Sequence, residues 1–439
     1  MKTIDNPQKI TSSLEGESYP RHRWYYVKEA FSPELVKQAI QESGCEKGDL
    51  VVDIFCGGGT TTLTAVTEGR ATLGFEVNPF LAFISRAKLI QCRRKLFQRH
   101  SNKVMYAART GLRSRLEGFS TFTEAGADDA WLFNLDVLRA FEGGWGATNG
   151  LYGPVRDLIR LCLIGAVMEV CNAVKDGKCL RYRKDWKEKR FTSNDFIAQF
   201  QKRTNMVVED LERCPIDGKY EIINSDSREL DAGAFRGRGF KLCVTSPPYL
   251  NSFDYSDIYR PELFLGKYIN STDDLMRLRL KTLRSHVQAN WPAPDKGDQS
   301  DLLTQSLSEI EDRSKRLWNK RIPDMIRAYF EDIRKVLTAL RPLALPDSSV
   351  WLIVSTSAYV GIEVPVDLII ADICSKCGWS LREIRVAADL RRVPAQQWHD
   401  LSSNNKDGPY LRESMIILDN RRVMKHYDFG GTQKAGAGE

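Results

Sequence analysis

Val51-Val52-Asp53-Ile54-Phe55-Cys56-Gly57-Gly58-Gly59-Thr60-Thr61-Thr62 decides the fold. Its first five residues are apolar except for Asp53 and read as a buried strand. The three glycines permit positive φ and let a ligand approach the backbone without meeting a Cβ. A helical run follows from about Thr61 through Leu63, Ala65 and Val66. Strand, glycine turn and helix together set the free N–H groups of a helix N-terminus beside a ligand site. Two common versions of this unit are excluded. Thr62 stands where a dinucleotide fingerprint has its third glycine, and no Lys-Ser or Lys-Thr follows as in a P-loop. Asp53 would repel a phosphate and suits a ligand bearing positive charge or hydroxyls.

Further along, Ala71 to Phe75 reads as a second strand ending at Glu76, and Val77-Asn78-Pro79 opens the next helix. A carboxylate at the end of the second strand of a nucleotide fold typically accepts from ribose hydroxyls. Tyr220 to Asn224 reads as a third strand with Ser225-Asp226-Ser227 as its tip, where Asp226 is placed to accept from an adenine amine. Phe240 to Val244 is a fourth apolar strand, followed by Thr245-Ser246-Pro247-Pro248-Tyr249. Two consecutive prolines cannot donate, so the strand ends there. The segment presents carbonyls, a hydroxyl and an aromatic ring at a strand's C-terminal edge, where open α/β sheets bind ligands. A planar amine-bearing group suits it: the ring stacks, and the carbonyl and hydroxyl accept N–H protons. Each feature alone also fits a plainer role. An acid can cap a helix, and the prolines can stop a strand beside an ordinary loop aromatic. Three acids at three strand ends around one glycine turn are harder to assign that way.

Taken together, these residues resemble the S-adenosylmethionine-dependent DNA amino-methyltransferases, which modify the exocyclic amine of cytosine or adenine. The family's cofactor pattern D-x-F-x-G-x-G-T is matched by Asp53, Phe55, Gly57, Gly59 and Thr60. Its catalytic pattern is matched by Ser246, Pro247, Pro248 and Tyr249. The likeness extends more loosely to Arg23-Trp24-Tyr25-Tyr26 with Phe31 to Leu35, and to Leu411 to Leu418 as a final strand. It implies an α/β, class I methyltransferase-like doubly wound sheet with a large helical insertion between the second and third strands. It implies S-adenosylmethionine as cofactor, with Glu76 on the ribose, Asp226 on the adenine and Thr245 among the cofactor-side residues. In this family Thr-Ser-Pro-Pro-Tyr is commoner among cytosine-N4 enzymes, whereas adenine-N6 enzymes more often carry Asp or Asn before the prolines. Cytosine is therefore favoured. Adenine stays open, as do an RNA or protein amine as substrate and a catalytically silent nucleic-acid-binding subunit.

Both target amines are poor nucleophiles, because their lone pairs are delocalised into the ring. Accepting their protons at Ser246 Oγ and the Pro247 carbonyl would localise that lone pair toward the methyl donor. The base must leave the duplex to reach such a site, and Tyr249 would stack on it. Ring-carbon methylation would need a Pro-Cys nucleophile where Tyr249 follows the prolines.

Composition bounds the rest. The chain has 439 residues, is 42% hydrophobic and carries a net charge of +7, which suits a polyanionic partner but is matched by many soluble proteins. The ten cysteines are scattered, Cys374 and Cys377 form a lone C-x-x-C, and no metal is assigned. No run of 18 apolar residues and no secretory signal is visible, so a reducing cytoplasm is expected. Double-stranded DNA is the expected partner, with no membrane and with a separate restriction or defence partner possible in principle. The oligomeric state is left open.

The expected organisation places the cofactor motif in 1–84 and a mostly helical insertion, the candidate DNA-recognition region, in 85–218. The catalytic motif and a second insertion near 266–323 fall in 219–429, and 430–439 is a disordered tail. The first insertion reads as helices at Leu81–Leu96 and Leu158–Val174, with a glycine-rich loop from Phe141 to Gly146 between them. Its basic stretch Leu180 to Arg190 offers Arg181, Arg183, Lys184 and Lys187 as phosphate contacts, with Tyr182 and Trp186 interleaved. The plainer alternative is a solvated helix face laced with charge pairs. The second insertion carries Arg277, Arg279, Lys281 and Arg284. Helices at Ile326–Leu340 and Pro365–Cys377, a strand at Ser349–Val354, and an antiparallel pair at Leu381–Val386 and Met415–Leu418 are expected to close the sheet. The segment Arg391 to Pro409 is expected to border the target pocket.

Overall fold

Consecutive apolar residues in a strand bury it on both faces, and the centre of this sheet is built of such strands. The computed structural model describes residues 2–3, 18–176, 179–295, 300–390 and 411–420. The segment 391–409 and the tail from 430 lie outside them. In chain order the strands are β1 (Lys2–Thr3), β2 (Leu50–Asp53), β3 (Ala71–Phe75), the hairpin β4 (Ala173–Asp176) and β5 (Cys179–Tyr182), β6 (Tyr220–Ile223) and β7 (Phe240–Thr245). They continue with β8 (Ala344–Ser355), the short pair β9 (Ser357–Tyr359) and β10 (Ile362–Val364), β11 (Ser380–Leu390) and β12 (Leu411–Asp419). Eight of them form one sheet in the order β1-β11-β12-β8-β7-β2-β3-β6. From β8 to β6 all neighbours are parallel. β12 runs antiparallel to both β8 and β11.

The chain winds from β2 out to β3 and β6, then returns to the other side of β2 with β7 and β8. That reversal makes the β2/β7 boundary the topological switch point, where a crevice opens at the strand C-termini. With the reversed strand β12 between β8 and β11, this is the class I methyltransferase sheet. Alternate residues feed opposite layers. Val52, Cys243, Leu352 and Ile416 join one core with the helices Ile322–Leu340 and Val366–Lys376. Val51, Leu242, Val244, Trp351 and Met415 join the other with the helix Pro33–Glu42. The period of two set by the pleat thus supplies two apolar faces, each covered by helices.

Between β3 and β6 lie the helices Pro79–Leu89, Arg94–Thr110, Leu135–Ala147, Gly153–Glu169 and Ser193–Arg213, with the hairpin β4–β5. Three sequence expectations need correction here. The expected helix Leu81–Leu96 is two helices, because the buried guanidinium of Arg21 donates to the carbonyls of Lys88 at 3.0 Å and Ile90 at 2.8 Å and so closes the first one. The helix expected to run to Val174 stops at Glu169, where Arg183 donates to the Glu169 and Cys171 carbonyls at 3.1 and 2.9 Å. The expected glycine-rich loop Phe141–Gly146 is helical. A Cβ on Gly143 would lie 2.6 Å from the Ala107 carbonyl oxygen, and one on Gly144 would lie 2.9 Å from Leu163. Those glycines let three helices approach closely, so packing decided what local punctuation could not.

The N-terminal segment is tied to this insertion through Asp210. Its buried carboxylate accepts from the Arg21 backbone N–H at 2.8 Å, Trp24 Nε1 at 2.9 Å and the Arg23 guanidinium at 2.5 Å. Among the described residues no helix is long and apolar enough to cross a membrane.

Candidate active site

The glycine turn takes the conformation its sequence requires. Gly57 and Gly59 have φ of 49° and 82°, and a Cβ on Gly58 would lie 2.8 Å from Val27 of the N-terminal segment. The helix Pro79–Leu89, capped by the Asn78 side chain, holds the turn from behind. Ser85 Oγ donates to the Gly57 carbonyl at 2.7 Å and Lys88 Nζ to the Gly58 carbonyl at 2.9 Å. Burial brings the Lys88 ammonium down to about 7. Sequence reading missed Lys88; the available signal was a cation at helical spacing from Leu81 and Ile84, on the apolar face of the helix.

Asp53 and Thr245 join the two motifs. The Thr245 hydroxyl donates to Asp53 Oδ1 at 2.7 Å, and the Phe55 N–H donates to Asp53 Oδ1 and to Thr245 Oγ1, each at 3.1 Å. Glu76 accepts from the N–H groups of Gly57 at 2.7 Å and Asn78 at 2.8 Å, which locks its carboxylate over the turn. Burial pushes Asp53 up to about 6 and Glu76 up to about 7, against the hydrogen bonds that favour their charged forms.

Asp226 sits at the tip of β6 and faces the same crevice. Its carboxylate is engaged by Arg228, with Nη2 to Oδ2 at 2.6 Å and Nε to both oxygens at 3.0 and 3.1 Å. Arg228 also reaches Asp332 at 3.2 Å. Any ligand amine at Asp226 therefore shares an acceptor with Arg228, using lone pairs that a carboxylate still has to spare.

At the end of β7, Ser246 Oγ donates to the Ile353 carbonyl at 3.0 Å, which turns its lone pairs outward. The Tyr249 hydroxyl donates to Glu413 of β12 at 2.5 Å. Burial and the Glu413 charge hold this phenol well above its ordinary pKa, so it stays neutral. The sequence carries no clear signal for Glu413, which stands between Arg412 and Ser414 ahead of the apolar run Met415 to Leu418. One cavity of about 570 Å³ is shared by Asp53, Phe55, Glu76, Ser246, Pro247 and Tyr249. That lies within the roughly 300–1,000 Å³ of small-molecule sites. Phe253 and Tyr255 add an edge-to-face aromatic pair to its wall, centroids 4.4 Å apart. Cys56 also faces the cavity, but burial and Asp53 drive its thiol far above the ordinary range, so it is no thiolate nucleophile.

The basic stretch takes a different form from a helix face. Leu180 to Tyr182 belong to β5, and turns follow. Arg181 pairs with Asp176 at 2.8 Å, and Arg183 is spent on helix-end carbonyls. Tyr182 and Trp186 pack on the chain itself: Trp186 meets Trp131 edge-on at 4.7 Å and the Tyr182 hydroxyl donates to the Ala130 carbonyl at 3.1 Å. Lys184 and Lys187 are exposed, with the Lys187 ammonium 5.5 Å from the Trp186 ring. In the second insertion Arg277 pairs with Asp274, Arg279 with Asp254 and Arg284 with Asp332.

The raised carboxyls make a pH prediction. Glu76 ordinarily titrates at 4.5 and in the fold at about 7, so between those values the folded protein holds a proton that the unfolded chain has released. Its burial therefore costs stability as pH rises through that window, and the cost is complete above about 7. A ligand whose hydroxyls donate to Glu76 prefers the ionised form. Its affinity is expected to fall about tenfold per pH unit below 7. Calorimetric titrations from pH 5 to 8 check this. A flat profile, or a Glu76→Gln variant with the same slope, contradicts it.

A strand-turn-helix crevice at the switch point, beside a proline-ended neighbouring strand in this strand order, defines the class I methyltransferase fold. A sequence model described as DNA methylase matches residues 7–86, which include the glycine turn and Glu76. The Type II methyltransferase M.BsoBI of Geobacillus stearothermophilus is 24% identical over 438 residues, covering 89% of this chain and 84% of that protein. The Type II methyltransferase M.AvaI of Nostoc is 24% identical over 433 residues, covering 89% of this chain and 85% of that one. Among solved structures, the rRNA methyltransferase aviRa of Streptomyces viridochromogenes aligns with a TM-score of 0.31 at 8% identity, covering 92% of this chain and 85% of that chain. A score that low leaves the fold to be argued from strand order. These likenesses support an amino-methyltransferase family for the chain.

Proposed function

We propose that the chain transfers a methyl group from S-adenosylmethionine to the exocyclic amine of a base flipped out of double-stranded DNA, cytosine N4 in preference to adenine N6. The observation that carries this is the Thr245–Asp53 hydrogen bond, which fuses the cofactor turn and the proline-ended strand into one wall of one cavity. When bound, the cofactor supplies a methyl already activated on a sulfonium. Asp53, Phe55, Gly57, Gly59, Thr60 and Glu76 would hold it, with Glu76 accepting from the ribose hydroxyls. Asp226 would accept from the adenine alongside Arg228.

Ser246 and the Pro247 carbonyl take the amine's hydrogen bonds. Because the Ser246 proton is committed to Ile353, its oxygen is left as an acceptor. Tyr249 and Pro248 shape the base plane, and Glu413 fixes the Tyr249 ring. The amine's lone pair forms the new N–C bond as the donor's S–C bond breaks, and one amine proton leaves toward solvent. No covalent enzyme intermediate is needed, and the work is done by groups fixed before reaction.

Residues 1–84 and 219–429 would form the methyltransferase domain, with 85–218 as the insertion that meets DNA. Lys184 and Lys187 are proposed as phosphate contacts on a loop that Arg181 and Arg183 brace. The cytosine preference is supported by Thr245-Ser246 in the catalytic pattern. The Type II relatives support duplex DNA as the substrate, and intact acids at three strand ends disfavour a silent subunit. The test is transfer of label from methyl-labelled S-adenosylmethionine into mixed-sequence duplex DNA. Incorporation that is lost with Asp53→Ala supports the reading. Absence of incorporation, with DNA and cofactor both bound, would establish the silent subunit instead.

A further inference from the structure

Residues 93–116 contain eight Lys or Arg and no Asp or Glu, against a whole-chain excess of seven positive charges. The rest of the chain is therefore one charge negative, and the molecule's basic character lies in this stretch. Most of it is the helix Arg94–Thr110, which buries Phe97, Ser101, Val104 and Ala108 against the insertion core. On the opposite face Lys95, Arg99, Lys103, Tyr106 and Arg109 follow at spacings of four, four, three and three. Such spacing keeps them within about a third of the helix circumference, in a stripe about 20 Å long.

All four cations are exposed, and none has a hydrogen-bond or ion-pair partner among the described residues. Tyr106 between them is 76% exposed. Three of the other four bases differ: Arg94 pairs with Glu212, Arg113 with Glu117, and Arg115 donates to Asn270, whereas Arg93, which precedes the helix, is exposed. Like charges three and four residues apart weaken a helix, so this stripe is a local penalty with no internal compensation. A solvated face would interleave acids, as the exposed turn of Glu209 and Arg213 does in the helix Ser193–Arg213.

We infer that the Lys95–Arg109 face is the principal surface on which the insertion grips the phosphate backbone of duplex DNA. The inference rests on the DNA reading of the cavity and names where that DNA is held. Regularly spaced cations match a polyanion, and an exposed tyrosine among them can pack on sugar or donate to a phosphate. Placement agrees with this. The stretch ends at Arg115 on Asn270, immediately before the helix Thr272–Lys281, whose Leu278 and Lys281 line the cavity. By contrast, of the four cations at 181–187, Arg183 is spent on helix-end carbonyls and Arg181 is paired with Asp176 at the surface.

The test replaces Lys95, Arg99, Lys103 and Arg109 together by Gln, which keeps helix propensity and removes charge. Binding to a short mixed-sequence duplex is measured across a salt series. The slope of log affinity against log salt is expected to fall by about 0.9 per lost contact, roughly three to four units in all. S-adenosylmethionine affinity should hold, and the thermal midpoint should hold or rise, since the like-charge penalty is removed. Unchanged DNA affinity and slope overturn the surface while leaving the function intact. Failure of the wild-type protein to bind duplex at all would instead overturn the function. A change seen only with single-stranded RNA would reassign the face to RNA and reject the proposal. Should the variant not fold, acetylation of Lys95 and Lys103 in the wild-type protein decides. Protection by the duplex supports the surface, and equal labelling with and without it overturns the surface.

Discussion

Tyr249→Ala is expected to lower kcat/KM roughly tenfold to a hundredfold while cofactor affinity stays at the wild-type value. The ring stands on the turn proposed as catalytic, and stacking on a base is worth about 1–3 kcal/mol. Its hydroxyl is anchored on Glu413, so the ring plane is fixed before the base arrives. Tyr249→Phe keeps the ring and loses only the anchor, and a smaller loss follows. Ser246→Ala should slow the methyl-transfer step with little change in KM, because its acceptor oxygen matters most as the amine becomes tetrahedral. Single-turnover kinetics with calorimetry separate these effects. Wild-type turnover in Tyr249→Ala would remove the aromatic from the account.

Asp53→Ala is expected to weaken S-adenosylmethionine binding by roughly tenfold to a hundredfold, the worth of one or two charge-assisted hydrogen bonds. The variant leaves the Thr245 hydroxyl without its acceptor, while the Phe55 N–H keeps Thr245 Oγ1. It also removes a buried carboxyl whose ionisation the fold disfavours, so the thermal midpoint should move much less than the affinity. Asp53→Asn keeps the shape and should recover part of the binding. Affinity equal to wild type in Asp53→Ala would sink the assignment of the turn as the cofactor site.

The parts of this protein legible in its sequence are those where local chemistry and tertiary role agree. Val51 to Thr62 reads locally as a strand and a glycine turn because apolar residues and glycines follow one another there, and the helix starts at Thr60 although threonine is a weak helix former. The prolines after Thr245 end a strand wherever it lies in the sheet. What was not legible depends on partners far away in the chain. The end of the helix at Leu89 is set by Arg21, and the end of the helix at Glu169 by Arg183. Gly143 and Gly144 read as a loop because glycine usually punctuates, yet they serve three helices that could not otherwise approach. Only the folded chain shows the glycine-turn carbonyl that Lys88 holds and the tyrosine that Glu413 holds. The basic helix was passed over because its cations are spaced by turns of helix, whereas the stretch at 181–190 is dense along the sequence.

The most direct measurement is nucleoside mass spectrometry of duplex DNA incubated with the protein and methyl-labelled S-adenosylmethionine. The expected product is 4-methylcytosine. Finding 6-methyladenine would keep the direct transfer to an amine and reject the cytosine preference. Finding 5-methylcytosine would contradict the account at its centre, because ring-carbon attack needs a thiolate where this cavity presents Ser246, two prolines and Tyr249.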